Sequence, residues 1–313
     1  MPAEVRRART GTSMASTFLV DLVSEDDPRR DVLAQDAAVA SIQRVAETCS
    51  RFLPSGDLCR MNAHADRFVS VDDWVYDVVA SAYAQYRRTG GRFDPRVLAD
   101  LERLGYRETF SSMPTVVESN GGPSRRPGPW RPHFSAVDSA INLGGSPIDL
   151  GGIAKGWAVD RAIEVARELG ALGLVDLGGD GRASGPRDDG TPWSIGVEDP
   201  AGGPLPVATF ALEVGAYATS STRLRRWKVA HQPVHHLIDP ATGAPGGPGL
   251  LAVTVAAPST VTAEVDAKVA FLRGRSEIEA FCAQTKIAAL WVEDGGMVRW
   301  TPLMEPFLTW VRT

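Results

Sequence analysis

Three stretches of the 313-residue chain carry side chains whose types and spacing could do chemistry. In Asp149-Leu150-Gly151-Gly152-Ile153-Ala154-Lys155-Gly156-Trp157 a short apolar run enters paired glycines and then a strongly periodic helix. A glycine turn at a helix start leaves backbone N–H groups without intrahelical partners and lets an anion approach them, and Lys155 adds a positive charge in the first turn. That combination suits a phosphate or pyrophosphate. The spacing is neither GxGxxG nor GxxxxGK(S/T), and glycines that merely permit close packing would leave the same pattern. A second cluster, Leu177-Gly178-Gly179-Asp180-Gly181, closes the next apolar run, and two such turns at neighbouring strand ends favour a shared pocket.

Three of the five histidines fall within residues 231–236, where His235 and His236 precede Ile238-Asp239-Pro240. An imidazole near a carboxylate is the composition of a general base with its orienting group, or of a metal site. Neighbouring residues on a strand point to opposite faces, so His235 and His236 would not reach one ion, and a zinc site is not expected. A plain turn at Asp239-Pro240-Ala241-Thr242-Gly243 with surface histidines fits the same residues. In Ala263–Gly274 the apolar positions have helical spacing; Glu264 and Lys268 share one face and Asp266 points away, which taken alone is a surface ion pair on an ordinary helix.

The elements that must position these groups follow from periodicity. Val39, Ile42, Val45 and Cys49 predict a helix over 31–49. Val75, Val78, Val79, Ala82 and Tyr86 predict a second, begun by Asp72-Asp73 and stopped by Gly90-Gly91, with a loop at Ser55-Gly56-Asp57 between the two. After the glycine turn, Val159, Ala162, Ile163, Ala166 and Leu169 form a buried stripe that Gly170 ends. Short β-like runs at 141–143, 147–150, 172–175 and 251–255 interleave with the helices and predict an α+β fold of mixed sheets packed with helices, an alternation that would fit two related halves. Residues 111–134 concentrate Pro, Gly, Ser and Arg without periodicity and read as a mobile surface loop. Arg223–Lys228, following the hydroxyl-rich Ala218–Thr222, reads as a solvated edge, with contact to phosphate or RNA as the alternative. No GxSxG elbow supports a serine hydrolase.

Composition narrows the partners. With 43% hydrophobic and 23% charged residues and a formal charge of −5, the chain has a core-forming composition and lacks the basic surplus of a nucleic-acid binder. No uninterrupted run of ~18 apolar residues occurs, so no membrane span is expected. No signal-peptide core follows the N-terminal arginines, so a cytoplasmic location is expected. Cys49, Cys59 and Cys282 are odd in number and lack CxxC spacing, so they are expected to be core thiols rather than disulfide or zinc ligands.

Taken in order, the motifs resemble the ApbE family of FAD:protein FMN transferases. Met14-Ala15-Ser16 is similar to the family's Met-Gly-Thr start, with two residues changed. Ser50-Arg51-Phe52 through Met61-Asn62-Ala63, Thr89-Gly90-Gly91-Arg92-Phe93-Asp94-Pro95, Asp149–Gly156, Leu177–Asp180, Thr219-Ser220 and His236–Gly243 resemble its later segments at family-like separations. The resemblance implies a single domain over 1–313 that binds FAD, cleaves its pyrophosphate, attaches FMN to a Ser or Thr hydroxyl of an acceptor flavoprotein and releases AMP. It further implies that Met14, Phe52, Arg92, Phe93, Asp94, Asp149, Lys155 and Ile238 contact FAD, that His236 is the base, and that Mg²⁺ is held by the Gly152 carbonyl and by Asp and Thr side chains of an A-D-A-x-x-T helix segment.

That segment is where the sequence departs. Ala263–Lys268 places Glu264 at the Asp, making it both a metal-ligand and a catalytic candidate, and Lys268 at the Thr; Gly274 then falls on the family's glycine. A register begun at Asp266 would put Ala270 at the Thr and misplace Gly274. A charged lysine has donors only and cannot ligate Mg²⁺, so the expectation is that Lys268 partly replaces the metal. The alternative reading is a family member that binds or hydrolyses FAD with little or no protein flavinylation.

Overall fold

A computed structural model describes residues 8–24, 28–109, 116–117 (backbone) and 128–312. At its centre the strands Arg9–Ser13, Ser16–Ser24, Ala171–Leu177, Gly181–Ser184, Val214–Ser221, Leu250–Ala257, Ala288–Glu293 and Val298–Trp300 form one sheet in that spatial order. Every neighbouring pair is antiparallel. Side chains alternate across it. Val20, Leu22, Val175, Val253 and Val255 face one way, toward helices, while Leu174, Tyr217, Ala252, Leu290 and Val292 face a small sheet of Trp193–Val197, Ala208–Leu212 and Leu308–Val311.

The helices are α1 (Pro28–Thr48), α2 (Asp57–Ala63), α3 (Asp73–Arg88), α4 (Leu98–Arg103), α5 (Ala154–Glu168), α6 (Thr260–Leu272) and α7 (Ile278–Thr285). Alanines at the contact let α1 and α5 lie close on the sheet: Ala34, Ala38 and Ile42 meet Ala158, Ala162 and Ala166 in one core, all fully buried. Burying Ile42 contributes roughly 1.5–3 kcal/mol. α6 is apolar on most sides because it packs between the sheet and its neighbours; Asp160 of α5 accepts the Thr260 and Val261 amides at 2.9 and 3.0 Å and fixes its start. Among the described residues no helix is long and apolar enough to cross a membrane.

Several expectations are corrected. Residues 147–150 are not a strand: the Asn62 amide grips both the N–H and the C=O of Ile148 at 2.9 Å, and the Asp149 amide donates to the Pro95 carbonyl, so side-chain and loop partners replace a ladder. Leu169 caps α5 and is 38% exposed rather than part of its stripe. Of the supposed 111–134 loop, 111–115 and 118–127 lie outside the described residues. At its C-terminal end Trp130 is buried, donating to the Leu143 carbonyl at 3.0 Å, and His133–Ser135 is a strand. Cys49 and Cys282 are buried thiols, whereas Cys59 is half-buried, with its thiol 3.3 Å from the Arg51 carbonyl.

Candidate active site

Two cavities, of about 330 and about 530 Å³, share a wall made by Ala15, Gly151, Lys155, Arg225, His236 and Lys268. The first is bordered by every residue expected to contact FAD: Met14, Phe52, Arg92, Phe93, Asp94, Asp149, Lys155 and Ile238, with Gly152 beside them. The second runs past Gly178-Gly179-Asp180 to the strand Trp193–Val197, and Glu264 borders it. Segments more than 200 residues apart in sequence thus converge, as where Arg225 donates to the Met14 carbonyl at 3.5 Å.

Met14 and Ala15 form the two-residue turn between the first two strands, both left-handed at φ 49° and 55°, the backbone of a type I′ hairpin. The L side chain of Ala15 makes that conformation cost about 1 kcal/mol, which glycine would not incur. On the opposite side Arg51 pairs with Asp149 at 2.9 Å, donates to the Tyr106 carbonyl at 2.8 Å, and lies 4.1 and 4.6 Å from the ring centroids of Phe52 and Tyr106. The other Asp149 oxygen accepts the Gly151 amide at 2.9 Å. Asp94 is gripped by Arg96 through two bonds of 3.0 and 2.8 Å. Both carboxylates are therefore neutralised within the protein and shape the cavity rather than repel an anion. Arg92 is exposed at the rim, and Phe93 is buried beside it.

The glycine turn leaves several amides without intrahelical partners, as expected, and side chains take two of them. Gly151 donates to Asp149, Ile153 and Ala154 donate to the Leu150 carbonyl, and Gly156 donates to Glu264 Oε2 at 2.8 Å. The Gly152 amide has no partner among the described residues. Lys268 Nζ fills the space where a Cβ on Gly152 would stand, so a larger residue there would make the lysine side chain shift.

Glu264 and Lys268 are not a surface pair. Glu264 is buried, Lys268 half-buried, and both face the site, while Asp266 lies on the far side, paired with Arg88 at 2.6 Å. Lys155 forms an ion pair with Asp180, whose second oxygen accepts the Thr219 amide at 3.1 Å. Burial alone would lower the Lys155 pKa, but Asp180 and Glu264 together outweigh it and raise it. Burial and the nearby Asp180 push Glu264 up to about 7, against the pull of both lysines. Burial lowers Lys268, with partial compensation from Glu264 and Asp149.

His236 is half-buried on the shared wall, its Nδ1 3.3 Å from the Arg225 carbonyl. A carbonyl only accepts, so Nδ1 carries the proton and Nε2 keeps its lone pair. Burial, then Arg225 and Lys268, push this histidine well below its ordinary range, leaving it neutral and able to take a proton. His235 turns instead to the Phe271 ring, edge-on at 5.9 Å, and burial pushes it down to about 4. The expected divergence of the two neighbours holds, and neither is a plain surface residue.

Arg225, Asp180, Arg51 and Tyr106 are site residues that reading the sequence for binding side chains passes over. Arg225 belongs to the run expected to be a solvated edge, but Trp227 of that run is buried and Arg225 borders both cavities. Asp180 carried a signal in its glycine cluster, but the partner that gives it meaning is 25 residues away.

A divalent ion asks for several oxygen ligands. Here the candidate set is the Gly152 carbonyl, a Glu264 carboxylate already accepting the Gly156 amide, and an ammonium that only donates. No group of three His, Cys, Asp or Glu side chains among the described residues could hold an ion. These residues do not fit Mg²⁺.

Residues 11–291 match the profile of the ApbE family. A relative from Vibrio cholerae, named FAD:protein FMN transferase, is 26% identical over 311 residues, 96% of this chain and 92% of its own length. One from Haemophilus influenzae with the same name is 31% identical over 156 residues, 48% of this chain and 45% of its own. Among solved structures, the ApbE protein of Thermotoga maritima superposes with a TM-score of 0.82 at 26% identity, over 97% of this chain and 99% of that one. The apo form of Pseudomonas stutzeri flavinyl transferase ApbE does so at 0.77 and 24% identity over 96% of each, a likeness of fold.

Proposed function

The chain belongs to the ApbE family, and from that premise we propose that it moves the FMN half of FAD onto a Ser or Thr hydroxyl of an acceptor flavoprotein and releases AMP. The observation that carries this reading is the wall shared by the two cavities, where three cations and a neutral His236 lie together. A dinucleotide in the first cavity would lay its diphosphate on that wall, and the second cavity gives a protein hydroxyl access to the same phosphorus. Phosphoryl transfer demands mainly positioning and charge neutralisation. The acceptor oxygen bonds to the FMN phosphorus, the bridging P–O bond to AMP breaks, AMP leaves with the bridging oxygen, and the hydroxyl proton passes to His236 Nε2.

The test is intact-mass analysis of a flavoprotein domain bearing a surface Thr after incubation with this protein and FAD. A gain of one FMN per acceptor with an equal amount of AMP supports transfer. Replacing His236→Gln should lower the transfer rate by ~10²–10⁴ while FAD affinity changes far less, as removal of a general base implies. Free FMN and AMP without acceptor modification would instead support a second reading, FAD hydrolysis, which the altered Glu264 and Lys268 pair favours. Absence of any flavin binding would sink both.

A further inference from the structure

The three cations on the shared wall are not equivalent. Lys155 is paired with Asp180, and Arg225 donates to the Met14 carbonyl. Lys268 makes no hydrogen bond and no ion pair among the described residues. At the start of α5 the Glu264 carboxylate takes the Gly156 N–H. The Lys268 ammonium is not sealed among protein atoms but opens on the cavities, although an apolar side chain would satisfy α6 at this position, as Val265 does one turn before it. A charge placed there is open to an anion that arrives from the cavity.

We propose that Lys268 itself supplies the charge opposite the diphosphate of FAD, in place of a divalent metal ion, so that this chain takes up FAD without metal. The identity of the anion rests on the function proposed above; the vacant donor does not. Nζ lies against Gly152, whose amide is likewise without a partner among the described residues; Gly152 borders the first cavity and Lys268 borders both. Arg225 flanks them. A lysine ammonium is a compact point charge on a flexible stem, suited to the space a small cation would fill, and a divalent ion brought beside it would be repelled. Glu264 is left to hold the start of α5 and to balance Lys155 rather than to ligate an ion.

FAD titrations followed by quenching of flavin fluorescence, in EDTA and in excess Mg²⁺, test this on the full chain. The wild-type Kd should agree within about twofold between the two conditions. Lys268→Met should weaken binding about tenfold or more in both, as loss of a charge-assisted hydrogen bond implies. Lys268→Thr, which restores an oxygen ligand, should weaken it as much in EDTA and recover with Mg²⁺. Thermal unfolding without FAD shows whether each variant is folded. The proposal is overturned if EDTA weakens the wild type about tenfold or more, or if folded Lys268→Met binds FAD like wild type. A wild-type chain that binds flavin only with Mg²⁺ sinks this inference and leaves the transferase reading standing; one that binds no flavin in either condition sinks both.

Discussion

On the α5 wall of the site Lys155 is locked to Asp180, which in turn holds the Thr219 amide; on the α6 wall, a short distance away, Lys268 lies beside Gly152 with no partner among the described residues. Both are lysines bordering the same two cavities. One is part of the scaffold and the other is held ready for a ligand. The difference shows in how their surroundings act on them: the same burial that would lower both is overruled at Lys155 by two carboxylates and only partly offset at Lys268. A positive residue in a site is thus no measure of its role until its counter-charges are counted.

Stability measurements can break this contrast. Lys155→Met should have the largest effect, about 3–5 kcal/mol of lost stability in urea denaturation, because it leaves Asp180 buried and uncompensated. A loss below ~1 kcal/mol would show that the pair is not structural.

Glu264→Gln sharpens the comparison through pH. The folded state holds this proton from the ordinary 4.5 up to about 7, where the unfolded chain has already released it. Wild-type stability contributed by Glu264 is therefore present below pH 4.5 and is lost as pH rises toward 7. The Gln variant, which keeps an acceptor for the Gly156 amide, should gain on wild type across that window by on the order of 1 kcal/mol per pH unit and level off above it. Melting temperatures of the two proteins between pH 4 and 8 check this; a flat difference contradicts it.

Lys268→Met should leave stability within ~1 kcal/mol of wild type or raise it slightly, since an unpartnered charge is replaced by an apolar side chain of similar length. If it destabilises the fold as much as Lys155→Met, the two lysines are alike and the contrast is gone. The smallest effect is expected at His235→Gln: its ring faces Phe271 and borders neither cavity, so transfer should change less than about threefold, whereas the rate depends on His236.

Much of the scaffold was legible. The helices α1, α3 and α5 fall close to where a three-to-four residue apolar period places them, and Asp72 caps α3 by accepting the Trp74 amide. The glycine turn and the helix behind it were also visible, because each is a local pattern; the candidate contacts from Met14 to Ile238 came from the family resemblance and all border the first cavity. Misreadings came where a local pattern had a distant partner. Residues 147–150 look like a strand until the Asn62 side chain takes the hydrogen bonds of Ile148, and the Gly156 amide looks free until the Glu264 carboxylate arrives from 108 residues away.

What the amino-acid order determined alone is which residues alternate, which turn and which can carry charge: the strand faces, the helix stripes, the diglycine bend and the presence of Glu264 and Lys268 four apart. Which charges are neutralised was decided only by the tertiary structure. Pairing and desolvation depend on every element packed around a group, so Arg225 on a presumed edge became a wall of the site, Asp149 and Asp94 were silenced by Arg51 and Arg96, and Lys268 was left facing the cavity.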